Sequence, residues 1–82
     1  MKYTLKQKFE THNEPFVVEP DGFGSIEFIA VGNLTVNGIG FSLSLGHKAS
    51  FILEPYVTNS TTYYVSVDKY PVSVIKYYYT EV

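Results

Sequence analysis

Two histidines carry the most obvious potential for catalysis or metal binding in this 82-residue chain. His12 and Glu14 stand close together with Asp21 a little further on, and imidazole and carboxylate groups are both common metal ligands. The spacing fixes no third ligand, so it favours a solvated acidic loop over a metal site. His47 follows Gly46 in a predicted turn, where a polar residue is expected in any case. We therefore predict neither a metal ion nor a cofactor.

Nucleophilic catalysis needs a serine or cysteine beside a base and an orienting acid. The chain has no cysteine. The serines considered as nucleophiles lack the sharp turn that exposes such a group, and they are Ser44, Ser50 and Ser60. Carboxylates gather in the first third of the chain, at Glu10, Glu14, Glu19, Asp21 and Glu27. A domain of this size has little room for the cleft that a carboxylate pair needs, so we predict that the protein is not an enzyme.

Charge and hydropathy exclude two classes of partner. The net charge is −2 and arginine is absent, whereas nucleic-acid backbones are bound by clustered lysine and arginine. The longest apolar runs, such as residues 28–31, are far too short to span a membrane. No apolar segment follows the first residues, so no secretion signal is expected. The glycosylation patterns that begin at Asn33 and Asn59 are accordingly interpreted as chance matches.

Apolar and polar residues alternate with a period of two along most of the chain, which indicates half-buried β-strands. In the first strand Tyr3, Leu5, Gln7 and Phe9 share one face. Further strands are predicted over residues 16–18, 25–31, 33–36, 39–45, 49–54, 62–67 and 72–79. About eight short strands predict one all-β domain over residues 1–82, an antiparallel β-sandwich of jelly-roll or Greek-key type, with a small β-barrel as the alternative.

Two features of the strand pattern are more specific. Asn37-Gly38 between alternating segments predicts a two-residue hairpin, because a type I′ turn needs a positive φ at both central residues. Pro55 confines the end of the strand over 49–54 to a sheet edge or a bulge.

The aromatic residues divide along the chain. All six phenylalanines lie between Phe9 and Phe51, where we expect them to form the core, and all tyrosines except Tyr3 lie in the last third. Tyrosine is enriched at binding surfaces, although it is also a good strand former. Neighbours in a strand point to opposite faces, so at least one tyrosine of residues 77–79 must leave the core. The predicted interface residues are Tyr63, Tyr64, Tyr77, Tyr78 and Tyr79.

The small size of the chain favours self-association. Domains this small commonly need disulfides, metals or oligomerisation, and cysteine is absent. Both ends of the chain are predicted strands, and an uncovered terminal strand offers unpaired backbone groups to another chain. Lys2, Lys6 and Lys8 could instead protect such an edge from pairing. We expect a symmetric homo-oligomer.

Residues 24–38, Gly-Ser-Ile-Glu-Phe-Ile-Ala-Val-Gly-Asn-Leu-Thr-Val-Asn-Gly, resemble small β-proteins of tailed-phage virions. These include head decoration, head-fibre and other auxiliary capsid proteins, in which compact sandwiches carry glycine-punctuated strands and a similar hairpin. The resemblance implies a non-enzymatic subunit of a virion assembled in the host cytoplasm. It also implies contacts with other virion proteins, such as a major capsid protein.

Two other functions agree with the same pattern. Aromatic platforms on β-sandwiches stack on sugar rings, which would suit a carbohydrate-binding or adhesion module, although tryptophan is absent. A compact domain could also act as a rigid inhibitor of a host enzyme. The weak net charge argues against an inhibitor that imitates nucleic acid.

Overall fold

A computed structural model describes residues 3–51 and 57–81. In these two ranges the backbone forms eight β-strands and no helix. The strands are β1 (Tyr3–His12), β2 (Phe16–Val18), β3 (Ser25–Ile29), β4 (Gly32–Val36), β5 (Ile39–Leu43), β6 (Lys48–Phe51), β7 (Tyr63–Val67) and β8 (Val72–Glu81).

The strands form two four-stranded antiparallel sheets. Sheet A has the order β1-β8-β3-β6, and sheet B has the order β2-β7-β4-β5. The first four strands therefore pair with the last four in reverse, β1 with β8, β2 with β7, β3 with β6 and β4 with β5. This order is that of a jelly roll, a long antiparallel ribbon wound into two sheets. The predicted all-β sandwich is confirmed, and its topology is the jelly roll.

The ribbon turns at the predicted hairpin between β4 and β5. Asn37 and Gly38 have φ of 51° and 80°, as a type I′ turn requires. The turn is also bound to β7, because the Tyr64 backbone amide donates to Asn37 Oδ1 at 2.8 Å and the Asn37 backbone amide donates to the Tyr64 carbonyl at 3.0 Å. The turn therefore fixes the β4–β5 register and its position beside β7.

The core lies between the inward faces of the two sheets. Its fully buried side chains come from both sheets and from the turn before β3, and they are Phe23, Ile26, Phe28, Leu34, Val36, Val72 and Val74. The Phe28 ring lies at the centre of an aromatic group, with ring centroids at 5.8 Å from Phe51, 6.0 Å from Tyr63 and 6.5 Å from Phe16. Edge-on and tilted contacts of this kind stabilise beyond the area that they bury.

The strand bounds differ from the predicted ones at several ends. His12 was expected in a loop, but it is the last residue of β1 because it pairs with Val72. The strand predicted over 49–54 is described from Lys48 to Phe51, and its remainder and Pro55 lie outside the described residues. β8 lies between β1 and β3. The expectation that both terminal strands supply sheet edges is thus correct for β1 and wrong for β8.

We expect Gly38→Ala to lower the free energy of unfolding by about 1 kcal/mol, because a Cβ at φ 80° is strained. A Cβ there would meet nothing within 4 Å, so the effect is one of the backbone alone. Gly40 is the matched control, since its surroundings are equally open and its φ is not positive. Gly40→Ala should leave stability unchanged or raise it by up to about 1 kcal/mol. Urea unfolding of both variants measures the difference, and equal losses would contradict it.

Candidate interaction surface

The outer face of sheet A carries a group of apolar side chains that the core does not enclose. The register places Leu5 opposite Tyr79, and Phe9 opposite Ile75. Val72 and Val74 of β8 point into the core, so these odd-numbered residues point outward. Leu5 is 48 % exposed and Phe9 is 67 % exposed. We call Leu5, Phe9, Ile75, Tyr77 and Tyr79 the outer apolar patch.

One tyrosine of the outer apolar patch is held in place by an acidic partner. The Tyr77 hydroxyl donates to Glu27 Oε1 at 3.1 Å, and Glu27 Oε2 lies 2.8 Å from Lys48 Nζ. Partial burial, followed by the Glu27 carboxylate, raises the pKa of Tyr77 above its usual 10.0. Because the ring is already ordered, a partner that packs on it would lose little side-chain entropy.

Tyr79 lies against a glycine that leaves space for it. A Cβ on Gly24 would come within 2.7 Å of the Tyr79 ring and 2.9 Å of the Val57 carbonyl oxygen. The Tyr79 hydroxyl is 3.4 Å from Ser25 Oγ. The close approach of the Tyr79 ring to the Gly24 backbone therefore holds this side chain of β8 against the start of β3.

The inner side of β1 and β8 carries a buried ionic group centred on Lys76. This side chain is only 8 % exposed, and its Nζ lies 2.8 Å from Glu10 Oε2 and 3.4 Å from Asp21 Oδ2. The Nζ also lies 5.5 Å from the centroid of the Phe23 ring. The Tyr78 hydroxyl donates to the same Asp21 carboxylate at 3.1 Å. We call Lys76, Glu10 and Asp21 the ionic cluster.

Opposed effects set the protonation of Lys76 and Glu10. Burial alone would lower the pKa of Lys76, but its hydrogen bond to Glu10 and the charges of Glu10 and Asp21 outweigh burial and raise it above 10.5. The hydrogen bond from Lys76 holds the pKa of Glu10 below its usual 4.5. Both shifts keep the pair charged across the neutral range, which suits a contact that fastens β1 to β8 and to the Asp21 turn.

The five tyrosines predicted as interface residues lie in different environments. Tyr63 is buried in the core, and its hydroxyl donates to Asn59 Oδ1 at 3.0 Å. Tyr64 is exposed on the outer face of sheet B. Tyr78 is half-buried on the inner side of sheet A. Tyr77 and Tyr79 share the outer face of sheet A, so these two are the ones that the structure brings together on one surface.

Phe9, the most exposed aromatic side chain of the outer apolar patch, is not among the predicted interface residues. Phenylalanine was expected in the core, and this expectation is wrong for Phe9, whereas Phe23 and Phe28 are fully buried. The shared face of Tyr3, Leu5, Gln7 and Phe9 was a usable signal, because a strand with one apolar face must cover that face with something. The alternation alone does not show that β1 lies at a sheet edge, which is why Phe9 could not be placed outside the core.

The remaining candidate residues have ordinary structural surroundings. His12 stacks on Phe16 with ring centroids 3.8 Å apart, and its Nε2 lies 3.2 Å from Glu10 Oε1. The backbone amide of His47 donates to the Ser44 carbonyl in a turn. The other candidate side chains are exposed, and they are Glu14, Glu19, Ser44, Ser50 and Ser60. Within residues 3–51 and 57–81, no group of three or more His, Cys, Asp or Glu side chains is placed to hold a metal ion.

Both asparagines of the glycosylation patterns make structural hydrogen bonds. Asn59 is buried, accepts from Tyr63 and donates from Nδ2 to the Thr61 carbonyl at 2.7 Å. Asn33 donates from its backbone amide to Asp68 Oδ1 at 2.8 Å and from its side-chain Nδ2 to Asp68 Oδ2 at 3.2 Å. These polar residues therefore order the connections between strands.

Comparison with protein-family models, with curated proteins and with solved structures found no match. In the part of the chain that the structure describes, no helix has the length and apolar character needed to cross a membrane.

We expect Glu10→Gln to lower the free energy of unfolding at neutral pH by about 2 kcal/mol, because it removes one carboxylate from the buried Lys76. The effect should be smaller than for a fully buried pair, since Glu10 is 27 % exposed. The folded-state pKa of Glu10 is lowered, so its contribution is present above 4.5 and is lost as pH falls through the folded value. The difference between the variant and the unmodified protein should therefore disappear in acid.

Urea unfolding at a series of pH values measures this dependence. Glu14→Gln is the control, because Glu14 is exposed in the connection after β1. A destabilisation by Glu10→Gln that stays constant down to strongly acidic pH would show that the ion pair is not its source.

Proposed function

We propose that this protein is a non-enzymatic structural subunit of a virus particle, of the head decoration, head-fibre or auxiliary capsid type, that acts through protein–protein contacts. The observation that carries the proposal is the outer apolar patch. In the described part of the chain, Phe9 and Leu5 stand exposed on the outer face of sheet A, at 67 % and 48 %. An apolar surface of this kind marks an interaction site.

The fold supports the same proposal. Jelly rolls occur in viral capsid proteins and in lectin domains, so the topology admits the role but does not select it. The segment that resembles phage virion proteins runs from the start of β3 to the hairpin turn, which are elements of the jelly roll itself.

The polar groups near the outer apolar patch favour a protein partner. Glu27 and Lys48 flank it on β3 and β6 as a pair joined at 2.8 Å. Protein interfaces commonly have such an arrangement, with apolar and aromatic residues at the centre and paired polar groups at the rim. A second copy of the chain is one such partner, and a major capsid protein is another.

We expect the purified protein to form a closed oligomer that persists on dilution, because Phe9 and Leu5 of the outer apolar patch are exposed in the single chain. Phe9→Ser should raise the dissociation constant at least about tenfold by removing an exposed aromatic contact. Val17→Ser is the control, since Val17 is exposed on the outer face of sheet B. Light scattering coupled to size exclusion measures the mass over a range of dilutions.

Antibodies against the chain test whether it is part of a virus particle. They should label gradient-purified virus particles from the cells that encode the protein, and the label should remain after nuclease treatment. A monomer at every concentration, together with a chain that never sediments with particles, would refute the proposal.

A carbohydrate-binding role is the second candidate, and one observation on sheet B favours it. Tyr64 stands exposed beside a shallow depression of about 390 Å³, which Val17, Thr35 and Ser66 also line. Thr35 and Ser66 are directly opposite on β4 and β7, so their hydroxyls lie on the same face of the sheet. A flat aromatic ring beside hydroxyls is an arrangement on which a sugar ring can stack and form hydrogen bonds.

If this second role holds, Tyr64→Ala should abolish binding on a glycan array, because it removes the stacking surface. Tyr64→Phe should retain most of the binding, since it keeps the ring and removes only the hydroxyl. An array without hits, or binding that survives Tyr64→Ala, would exclude the carbohydrate role at this site.

A further inference from the structure

β1 is the long unpaired edge in the described part of the fold. Sheet A has β1 and β6 at its edges, and sheet B has β2 and β5. β2 and β5 have 3 and 5 residues and β6 has 4 within the described residues, whereas β1 has 10. Short edge strands are a common protection against pairing with another chain, and β1 lacks it.

β1 also lacks two other protections. It contains no proline, and its register with β8 runs one residue to one residue from Tyr3 to His12, so no bulge interrupts it. Residues 4–9 are all exposed. Lys6 and Lys8 are the charged residues that could oppose pairing, and their effect depends on what lies opposite them.

We propose that two copies of the chain pair through antiparallel β1 strands, with Phe9 of one copy directly opposite Phe9 of the other, so that two A sheets become one continuous sheet. This inference rests on the proposed assembly role and specifies the contact that it uses. The occupant of the edge is a second copy, and the charge pattern of β1 is what selects it.

A twofold axis restricts the possible registers of this pairing. In an antiparallel pair, directly opposite residues lie on the same face, so outward residues must face outward residues of the second copy. The axis then passes between one residue of β1 and the same residue of the second copy. Each choice of that residue fixes every other pair.

The charges of β1 distinguish between these registers. An axis at Lys6 or Lys8 places a lysine opposite its counterpart, an axis at Gln7 places Lys6 opposite Lys8 twice, and an axis at Glu10 places two carboxylates together. Like charges in direct opposition destabilise a sheet. These registers are therefore disfavoured. Within the chain, by contrast, Lys8 lies opposite Lys76, and the carboxylates that bind Lys76 offset this opposition.

Among the axes from Leu5 to Thr11, three avoid these like-charge pairs, at Leu5, Phe9 and Thr11, and they differ in the number of residues that pair. Within the bounds of the strand, an axis at Leu5 pairs only residues 3–7, and an axis at Thr11 pairs only residues 10–12. An axis at Phe9 pairs residues 6–12. A longer pairing satisfies more of the unpaired backbone groups of the edge, so it favours the axis at Phe9.

An axis at Phe9 also removes the conflict between charges. It places Lys8 opposite Glu10 of the second copy, twice by symmetry. It also places Lys6 opposite His12, which is not a pair of like charges when the imidazole is neutral. Glu10 already binds Lys76 through Oε2 and His12 through Oε1, and its partly exposed carboxylate retains lone pairs for a further donor. Opposite charges and an aromatic pair are both favourable cross-strand neighbours.

The same axis extends the outer apolar patch across the join. Ile75 lies beside Phe9 within each copy, so the row across the dimer reads Ile75, Phe9, then Phe9 and Ile75 of the second copy. Phe9, the most exposed residue of the patch, becomes its centre. Pairing along the edge therefore satisfies unpaired backbone groups and brings the two Phe9 side chains into contact.

Single cysteines test the register, because the chain has none of its own. Phe9→Cys, Gln7→Cys and Thr11→Cys all place the new side chain on the outward face of β1. In the proposed register the two thiols introduced by Phe9→Cys face each other at about 5 Å between Cα atoms, within disulfide reach. The two thiols introduced by Gln7→Cys, or by Thr11→Cys, would lie about 14 Å apart, which is out of reach.

With oxidised glutathione as oxidant, Phe9→Cys should give a disulfide-linked dimer, and Gln7→Cys and Thr11→Cys should remain unlinked on non-reducing gels. Phe9→Cys also removes the ring, so the double variant Gln7→Cys, Thr11→Cys provides a second test that retains Phe9. It should be cross-linked, because Gln7 lies opposite Thr11 of the second copy.

The outcomes separate the two proposals. If the unmodified protein is oligomeric but cross-linking occurs at Gln7→Cys or Thr11→Cys alone, or at none of these variants, the Phe9 register is wrong and the assembly role stands. If light scattering shows only monomer, the β1 pairing fails, and the assembly role fails with it only if the chain also never sediments with virus particles.

Discussion

The pairing of β1 with β8 is the interaction on which the rest of the molecule depends. It joins residues from the two ends of the described chain through ten consecutive pairs without a bulge. β8 is also the partner of β3, so it connects β1 to the remainder of sheet A. Its inward valines complete the core, and its outward Ile75, Tyr77 and Tyr79 form most of the outer apolar patch. One strand thus supplies both the stability of the domain and the surface that it offers.

The ionic cluster explains how this pairing keeps its register. Lys76 lies where the core would otherwise continue, and a buried charge is costly unless it is paired. A shift of β1 by one residue would turn Glu10 to the outer face and leave Lys76 with Asp21 alone, while Leu5 and Phe9 would turn inward. Such a shift is therefore costly because the buried Lys76 would lose one of its two carboxylate partners. The cluster therefore contributes to the specificity of the fold, in addition to its stability.

Much of this fold could be predicted from the sequence because its signals are local. Period-two alternation located the strands, and Asn37-Gly38 located the hairpin, since the φ values needed there restrict the residue types. The positions of Phe9 and Tyr63 could not be predicted in the same way. Whether a strand lies at an edge, and which tyrosine points into the core, depends on pairing between residues far apart in the chain. The contacts of Lys76 likewise arise only when distant segments meet.

The hairpin turn at Asn37-Gly38 has a consequence for the order in which the molecule folds. Val36 pairs with Ile39 across that turn, whereas Tyr3 pairs with Glu81, and the other pairs of the ribbon lie between these extremes of sequence separation. Loop-closure entropy penalises the distant pairs until the nearer ones have formed. We therefore expect strand pairing to begin with β4 and β5 at the turn, to continue with the more distant pairs, and to end with β1 and β8. During synthesis, β1 is the first of the eight described strands to be made, and its partner β8 is the last. The backbone edge of β1 that stays unpaired in the folded domain is therefore also exposed throughout folding.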